Sequence, residues 1–204
     1  AERLGFRHLD SGAFYRAITY AALQQGIPVD DWDGLDSDAL SELDVTSEPA
    51  DEGFRLRVRG DDVTEAIRTE EVNAHVSHMA AVPAVRAWLM DQLRSAGESS
   101  SLVSDGRDIG TVVFPNADLK VFLIAQSETR AKRRLAEVGN HEPTYIDIQN
   151  EVDRLGLRDR LDSQRATAPL KQAPDAVVID TTAISFEEQV AKIVKLAERK
   201  LGEK

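Results

Sequence analysis

The chain has 204 residues, of which 42% are hydrophobic, and it carries a formal net charge of −11 and no cysteine. This length fits one domain with room for a small insert, and the lack of cysteine excludes disulfides and thiolate chemistry. The acidic balance argues against a protein that coats a nucleic-acid polymer. No apolar run reaches the length of a membrane span and no secretory signal is visible, so we expect a cytoplasmic protein without membrane contact.

The first third of the chain predicts a strand, a helix and a small β insert. Arg7 to Asp10 forms the predicted strand, and Ser11 is expected to cap the helix that follows. Residues 30–66 have a different residue pattern. Apolar and charged side chains alternate from Phe54 to Arg59, which is typical of a half-buried strand. We therefore expect a small antiparallel insert at residues 30–66.

The remainder alternates helices with apolar strands. Apolar residues at helical spacing predict helices that begin near Thr69, Pro83, Ser127, Tyr145 and Ser185. Strands are predicted at Leu102 to Ser104, Leu119 to Ile124 and Ala176 to Ile179. The last two are apolar enough to predict full burial in a parallel sheet. The pattern is that of an α/β fold with helices on both faces of the sheet, in which ligands bind at the carboxyl ends of the strands.

Three stretches combine residues that could carry chemistry. In Arg158-Asp159-x-x-Asp162-x-x-Arg165 the two arginines and Asp162 share one helix face. Guanidinium groups that flank a carboxylate can clamp a phosphate and hold a sugar hydroxyl. The alternative is an exposed helix with ordinary ion pairs, and the residues alone leave both interpretations open.

The second stretch, Asp105 to Thr111, lies at the end of a predicted strand and contains two glycines that permit close backbone approach. Arg107 could contact an anion there, and Asp108 could accept a hydrogen bond from an exocyclic amine. The alternative is a turn with local ion pairs.

The third stretch runs from Leu9 to Arg16. Backbone N–H groups at the start of a helix attract anions, and Arg16 emerges on the first turn, although a plain capped helix is equally compatible. The four histidines show no metal-ligand spacing with acidic residues, so we expect no protein-bound metal site.

Together these stretches resemble the bacterial-type cytidylate (CMP/dCMP) kinases, a branch of the P-loop nucleoside-monophosphate kinases. The matching motifs occur in family order over nearly the whole chain: Leu9 to Arg16, Ile67 to Val72 with Ser77, Pro83 to Arg86, Asp105 to Pro115 and Arg158 to Leu170. The resemblance implies a P-loop kinase-like parallel sheet flanked by helices. It further implies a core domain of residues 1–29 and 67–204, a monophosphate-domain β insert at 30–66, and a lid at about 136–148.

The resemblance also implies roles for individual residues. Cytosine would be read by Ser77, Arg86 and Asp108. The ribose would be held by Arg158 and Asp162. The monophosphate would be surrounded by Ser11, Tyr15, Arg16, Arg107 and Arg165. The catalytic arginines would be Arg16, Arg107, Arg158 and Arg165, and the lid arginines that close on ATP would be Arg130 and Arg134.

The reaction implied is transfer of the γ-phosphoryl group of ATP, with Mg²⁺, to CMP or dCMP to give CDP or dCDP. The expected partners are therefore the small molecules CMP, dCMP and ATP, and we expect a monomer. Replacement of Asp108 by alanine is expected to cost cytosine discrimination far more than fold stability.

One motif of such kinases does not occur in the 204 residues. It is Gly-x-x-x-x-Gly-Lys-Ser/Thr, which supplies a phosphate cradle and a Mg²⁺ ligand. Because Ala1 to Phe6 reads as the last turn of a helix closed by Gly5, we expect the first strand and the P-loop to lie upstream of Ala1. This chain by itself is then expected to phosphorylate CMP poorly. The alternative is a chain that acts only as a CMP-binding module.

Overall fold

A computed structural model describes residues 1–51, 53–98 and 100–202 of the chain. Two compact units divide it between Phe114 and Pro115. The first unit comprises Ala1–Phe114 and Arg165–Ala168, and the second comprises Pro115–Gln164 and Pro169–Lys204. Residues 30–66, for which the sequence predicts an antiparallel insert, therefore belong to the first unit.

The first unit combines two small sheets with four α-helices among the described residues. Its strands are β1 (Arg7–Asp10), β2 (Val45–Ala50), β3 (Gly53–Val58), β4 (Asp61–Asp62) and β5 (Leu102–Asp105). Its helices are α1 (Ser11–Gln24), α2 (Ser37–Glu42), α3 (Glu70–Met79) and α4 (Pro83–Glu98). Short 3₁₀ turns occur at Glu2–Leu4, Val29–Gly34 and Ala66–Arg68, and a π turn occurs at Ile109–Val113.

The strands of the first unit form one parallel pair and one antiparallel sheet. β1 and β5 are parallel, with Arg7 opposite Leu102 and Asp10 opposite Asp105. β3 is the central strand of an antiparallel sheet with β2 and β4, as the alternating pattern of the sequence predicted. Because β1 and β5 end at the same level, the start of α1 and the loop after β5 lie side by side.

Small side chains on α1 allow the core of the first unit to pack closely. Ala17, Ala21 and Ala22 are fully buried, and a helix face of alanines lets neighbouring elements approach its backbone. Phe14, on the same helix, packs against Phe54 of β3 with 6.3 Å between ring centroids. The buried Trp32 satisfies its indole N–H by donating to the Ile27 carbonyl at 3.2 Å.

The predicted cap of α1 is wrong by one residue. Asp10, not Ser11, is the N-cap, and its carboxylate accepts from the Ala13 N–H at 3.0 Å. Ser11 is the first helical residue. Its hydroxyl donates instead to the Asp105 carbonyl at 2.7 Å, because the parallel pairing of β1 and β5 brings that acceptor within reach.

The second unit is a parallel strand pair with three helices in its described part. Its elements are β6 (Val121–Ile124), α5 (Ser127–Glu137), α6 (Tyr145–Gln164), β7 (Val177–Asp180) and α7 (Phe186–Gly202). β6 and β7 run parallel, with Val121 opposite Val177. The predicted α/β class is confirmed, with parallel strands, flanking helices and a small antiparallel sheet.

Two expectations fail in the second unit. The strands β6 and β7 are not fully buried, since Leu123 is 46% and Val178 is 45% exposed. In the described part of this unit the two strands pair only with each other, so their apolar faces are incompletely covered. Ser127 is not the cap of α5 either, because the N-cap is Gln126, which makes no capping bond with its side chain.

None of the helices in the described ranges is both long and apolar enough to cross a bilayer.

The pairing of β1 with β5 includes a histidine–carboxylate contact that predicts a pH dependence. His8 Nε2 lies 2.6 Å from Asp105 Oδ1, and this hydrogen bond raises the pKa of His8 above its usual 6.5. Because the pKa of His8 is higher in the folded state, protonated His8 stabilises the fold fully when the pH is below its pKa in the unfolded state. That stabilisation is lost as the pH rises through the pKa of His8 in the folded state. The side chains are 47% and 65% exposed, so solvent screening limits the gain to about 1 kcal/mol or less.

We therefore expect His8→Gln to lower the free energy of unfolding near about pH 5 and to have little effect near about pH 9. Urea unfolding across this range measures the difference, with the exposed His141→Gln as the control. A His8→Gln effect that is constant with pH would contradict the assignment.

Candidate active site

The start of α1 and the loop after β5 form one wall of the candidate site. Ser11 is only 4% exposed, and its hydroxyl donates a hydrogen bond to the Asp105 carbonyl. A Cβ at Gly106 would lie 2.3 Å from the Ser11 oxygen, closer than any real contact. Only glycine fits at Gly106, because this loop has to pass directly over the first turn of α1.

Buried charges dominate the site. The side chains of Arg86, Asp108 and Arg165 are each at most 6% exposed. Arg86 Nη2 donates to Asp108 Oδ2, and Arg165 Nη2 lies 3.8 Å from Asp108 Oδ1. One carboxylate thus faces two guanidinium groups, which leaves the Arg86–Asp108–Arg165 cluster with a formal charge of one positive unit.

Backbone carbonyls hold both arginines in place. Arg86 Nη1 donates to the Ala80 carbonyl at 3.0 Å, and Arg165 Nε donates to the Ala168 carbonyl at 2.8 Å. Ala168 has a left-handed φ of 49°, a conformation that non-glycine residues adopt at a cost and that recurs at functional sites. These two hydrogen bonds therefore fix the orientation of both guanidinium groups.

A π turn positions Asp108. It spans Ile109–Val113, directly after this residue, and the Asp108 carbonyl accepts from the Val112 N–H at 2.8 Å. Arg94 of α4 holds the turn by donating to the Val112 carbonyl at 3.1 Å and the Val113 carbonyl at 3.3 Å. Single π turns are rare and often occur at functional sites. This one places the Asp108 carboxylate in the interior rather than in solvent.

Tyr15 contributes a buried hydroxyl beside the cluster. The Arg86 guanidinium carbon lies 5.5 Å from the centre of the Tyr15 ring, within the range of a cation–π contact. Burial, partly offset by the positive charge of Arg86, raises the pKa of Tyr15 above its usual 10.0. Within the described residues the buried Tyr15 hydroxyl and Arg86 Nε have no hydrogen-bond partner. Buried donors of this kind are costly unless a ligand satisfies them.

The remaining predicted residues of the first unit lie on the same elements. Arg16 is half-buried on α1, and its Nε donates to Asn73 Oδ1 at 3.2 Å. Arg107 is half-buried in the loop next to Asp108. Ser77 is half-buried on α3. In the described part of the chain, no hydrogen bond joins the Ser77 hydroxyl to the Arg86–Asp108–Arg165 cluster.

The second unit carries the other predicted residues on α5 and α6. Arg158 Nε lies 4.0 Å from Asp162 Oδ2 along one face of α6, and the Asp162 side chain is 4% exposed. Arg130 of α5 makes two hydrogen bonds to Asp159 of α6, at 2.5 and 3.2 Å. Arg134 pairs with Glu137 at 3.0 Å on its own helix.

Sequence reasoning missed the residues that hold the predicted ones. Asn73, the Ala80 carbonyl and the Ala168 carbonyl each accept from a predicted arginine. Asp159 stands inside a predicted motif, but its contact with Arg130 was not predicted. Backbone carbonyls leave no trace in a sequence, and Asn73 lies 57 positions from Arg16, so no local signal could have identified these contacts.

The described residues contain no group of three or more histidine, aspartate or glutamate side chains arranged to hold a metal ion. A divalent ion that accompanies a nucleotide can be held largely by phosphate oxygens and water.

The comparisons with known proteins agree with this geometry. The family profile described as Cytidylate kinase matches residues 1–199. The cytidylate kinase of Geobacillus kaustophilus (strain HTA426) is 44% identical over 203 residues, which cover 99% of this chain and 89% of that protein. The one from Bacillus subtilis (strain 168) is 41% identical, covering 98% of this chain and 88% of that protein. The one from Pseudomonas aeruginosa (strain UCBPP-PA14) is 44% identical, covering 98% and 87%.

The fold and these matches define a nucleotide-binding phosphotransferase with the α/β architecture of a P-loop kinase. The chain belongs to the cytidylate kinase family. Kinases of this family work with ATP and a divalent metal ion.

The burial of Asp108 changes the expected result of replacing it. Asp108→Ala leaves the buried Arg86 and Arg165 without their carboxylate, and removal of one partner from a buried ion pair costs about 3–5 kcal/mol. We therefore expect a clear loss of stability in urea unfolding, contrary to the expectation from sequence. The exposed Asp91→Ala on α4 is the matched control, and equal stability of the two variants would refute this role for Asp108.

Proposed function

We propose that this protein transfers the γ-phosphoryl group of Mg²⁺-bound ATP to the 5′-phosphate of CMP or dCMP and produces CDP or dCDP. The observation that carries the proposal is the buried Arg86–Asp108–Arg165 cluster next to the unpartnered Tyr15 hydroxyl. Buried guanidinium groups, beside a Tyr15 hydroxyl that has no hydrogen-bond partner among the described residues, favour a ligand that combines an anionic group with a hydrogen-bonding base, such as a nucleoside monophosphate. Membership of the cytidylate kinase family supports the same reading.

Base recognition is assigned to Arg86 and Asp108, with Ser77 as a further polar contact. The exocyclic amine of cytosine donates hydrogen bonds, and an ionised carboxylate accepts them. Uracil presents a carbonyl oxygen at that position, which would face the Asp108 carboxylate with two acceptors and no proton between them. Because the carboxylate is buried, this mismatch is expensive. The site should therefore prefer cytosine.

Phosphate and ribose binding are assigned to the other predicted residues. Arg16, Arg107 and Arg165 would neutralise the monophosphate, with Ser11 and Tyr15 as hydroxyl donors. Arg158 and Asp162, which share one face of α6, would hold the ribose hydroxyls. In this assignment residues 30–66 act as the monophosphate-binding insert.

The chemical step needs no protein nucleophile. An oxygen of the CMP phosphate attacks the γ-phosphorus of ATP, the bond from that phosphorus to the β,γ-bridging oxygen breaks, and ADP leaves. Arg16, Arg107, Arg158 and Arg165 would stabilise the charge that accumulates on the transferring group. Since the attacking phosphate oxygen is already anionic, no strong general base is required.

Arg130 and Arg134, which lie on α5 just before a mobile lid proposed at about residues 136–148, are proposed to close on ATP together with that lid. Both arginines are paired with carboxylates on α5 and α6, so closure would exchange these carboxylates for phosphate oxygens. We further propose that the protein acts as a monomer in the cytoplasm on small-molecule substrates.

Calorimetry with CMP, dCMP, UMP and AMP tests base selectivity, and a coupled assay for ADP tests turnover. We expect CMP to bind at least about tenfold more tightly than UMP. Asp108→Asn should reduce this preference, because an amide can donate to the uracil carbonyl. Equal affinity of the unmodified chain for CMP, UMP and AMP would overturn the proposal.

Arg165→Met tests the phosphate assignment. The variant loses a buried guanidinium, so we expect CMP affinity to fall by about tenfold or more and turnover to fall at least as far. Arg160→Met removes an exposed arginine from α6 and serves as the matched control. Near-normal CMP binding by Arg165→Met would remove Arg165 from the phosphate-binding set.

A further inference from the structure

We infer that Asn73 is a positioning residue that orients Arg16 toward the monophosphate of the nucleotide. The inference rests on the proposed function, because it takes Arg16 as a phosphate-binding residue. Asn73 itself is assigned no contact with substrate. It acts through the hydrogen bond from Arg16 Nε to its side-chain oxygen, at 3.2 Å.

The hydrogen bonds of Asn73 fix the direction of its amide. Its Nδ2 donates to the Arg68 carbonyl at 3.0 Å and to the Thr69 carbonyl at 2.9 Å. A reversed amide would place its oxygen against two carbonyl oxygens and its NH₂ group against the Arg16 donor. The only orientation that satisfies all three contacts therefore presents the acceptor to Arg16.

The other end of the Arg16 guanidinium lies next to Gly12. A Cβ at Gly12 would lie 2.8 Å from Arg16 Nη1 and 3.1 Å from Asp10 Oδ1, so the guanidinium folds back over the first turn of α1, where the N-cap carboxylate also lies. With Nε bonded to Asn73 and Nη1 next to Gly12, the group lies beside the N-terminus of α1. A helix N-terminus and a guanidinium both favour an anion.

The neutral amide matters for this role. A carboxylate in the same position would orient Arg16 equally well but would neutralise part of its charge. An amide accepts the Nε hydrogen bond without adding a negative charge beside the guanidinium. A pre-oriented arginine also loses less side-chain entropy when it binds, which strengthens binding without a new contact.

The test compares CMP with cytidine, which lacks the phosphate, by calorimetry on the 204-residue chain. We expect Asn73→Ala to weaken CMP binding about fivefold to tenfold and to change cytidine binding less than about twofold. Asn73→Ser, which is too short to reach Arg16, should behave in the same way. The exposed Glu71→Ala on the same helix is the control and should leave both affinities unchanged.

A double-mutant cycle with Arg16→Met shows whether Asn73 acts through Arg16. If it does, Asn73→Ala adds no more than about a twofold loss once Arg16 has been removed. Equal weakening of CMP and cytidine, or fully additive effects in the cycle, would mean a merely structural role and overturn the inference. CMP binding that is unchanged in both Asn73 variants would also overturn it.

The same experiment separates this inference from the proposed function. If the wild-type protein does not prefer CMP over AMP and UMP, the proposed function is wrong. If the wild-type protein prefers CMP but the Asn73 variants bind CMP unchanged, only the role of Asn73 is wrong.

Discussion

The site in the first unit depends on two buried guanidinium groups that face one carboxylate. Removing Arg86, Asp108 and Arg165 from water is expensive, and the cost is offset only where each group has well-placed partners. The Ala80 and Ala168 carbonyls supply part of this compensation. The buried Tyr15 hydroxyl has no hydrogen-bond partner among the described residues, so a polar ligand group would complete its hydrogen bonding.

Irregular backbone holds this cluster in place. The π turn at Ile109–Val113, the left-handed Ala168 and the close approach at Gly106 each depart from regular secondary structure. All three lie next to a residue assigned to the nucleotide. Natural sequences break local rules mainly at functional sites, where the surrounding structure compensates for the strain.

The arginines of the second unit are arranged differently. Arg130, Arg134 and Arg158 are partly accessible and face carboxylates on α5 and α6. Such pairs gain little in free energy from their exposed portions, so they can exchange partners more cheaply than the buried cluster. The proposed function assigns the base to the buried cluster and phosphate oxygens to the partly accessible Arg130 and Arg134.

Asn73 is a neutral side chain that holds a charged one in place. Its three hydrogen bonds connect Arg16 of α1 to the Arg68 and Thr69 carbonyls just before α3. Arg16 is thereby oriented by a group that does not cancel its charge.

The sequence alone determined the order of elements and the antiparallel insert strands, because periodicity and turn chemistry are local. It also indicated Arg86 and Asp108 as candidates, but not that they pair with each other across 22 positions. Tertiary structure decided that pairing, the cap at Asp10, the partial exposure of β6 and β7 and the contact of Arg16 with Asn73. Each of these depends on which distant elements meet, and side-chain partners and burial are set by packing rather than by local pattern.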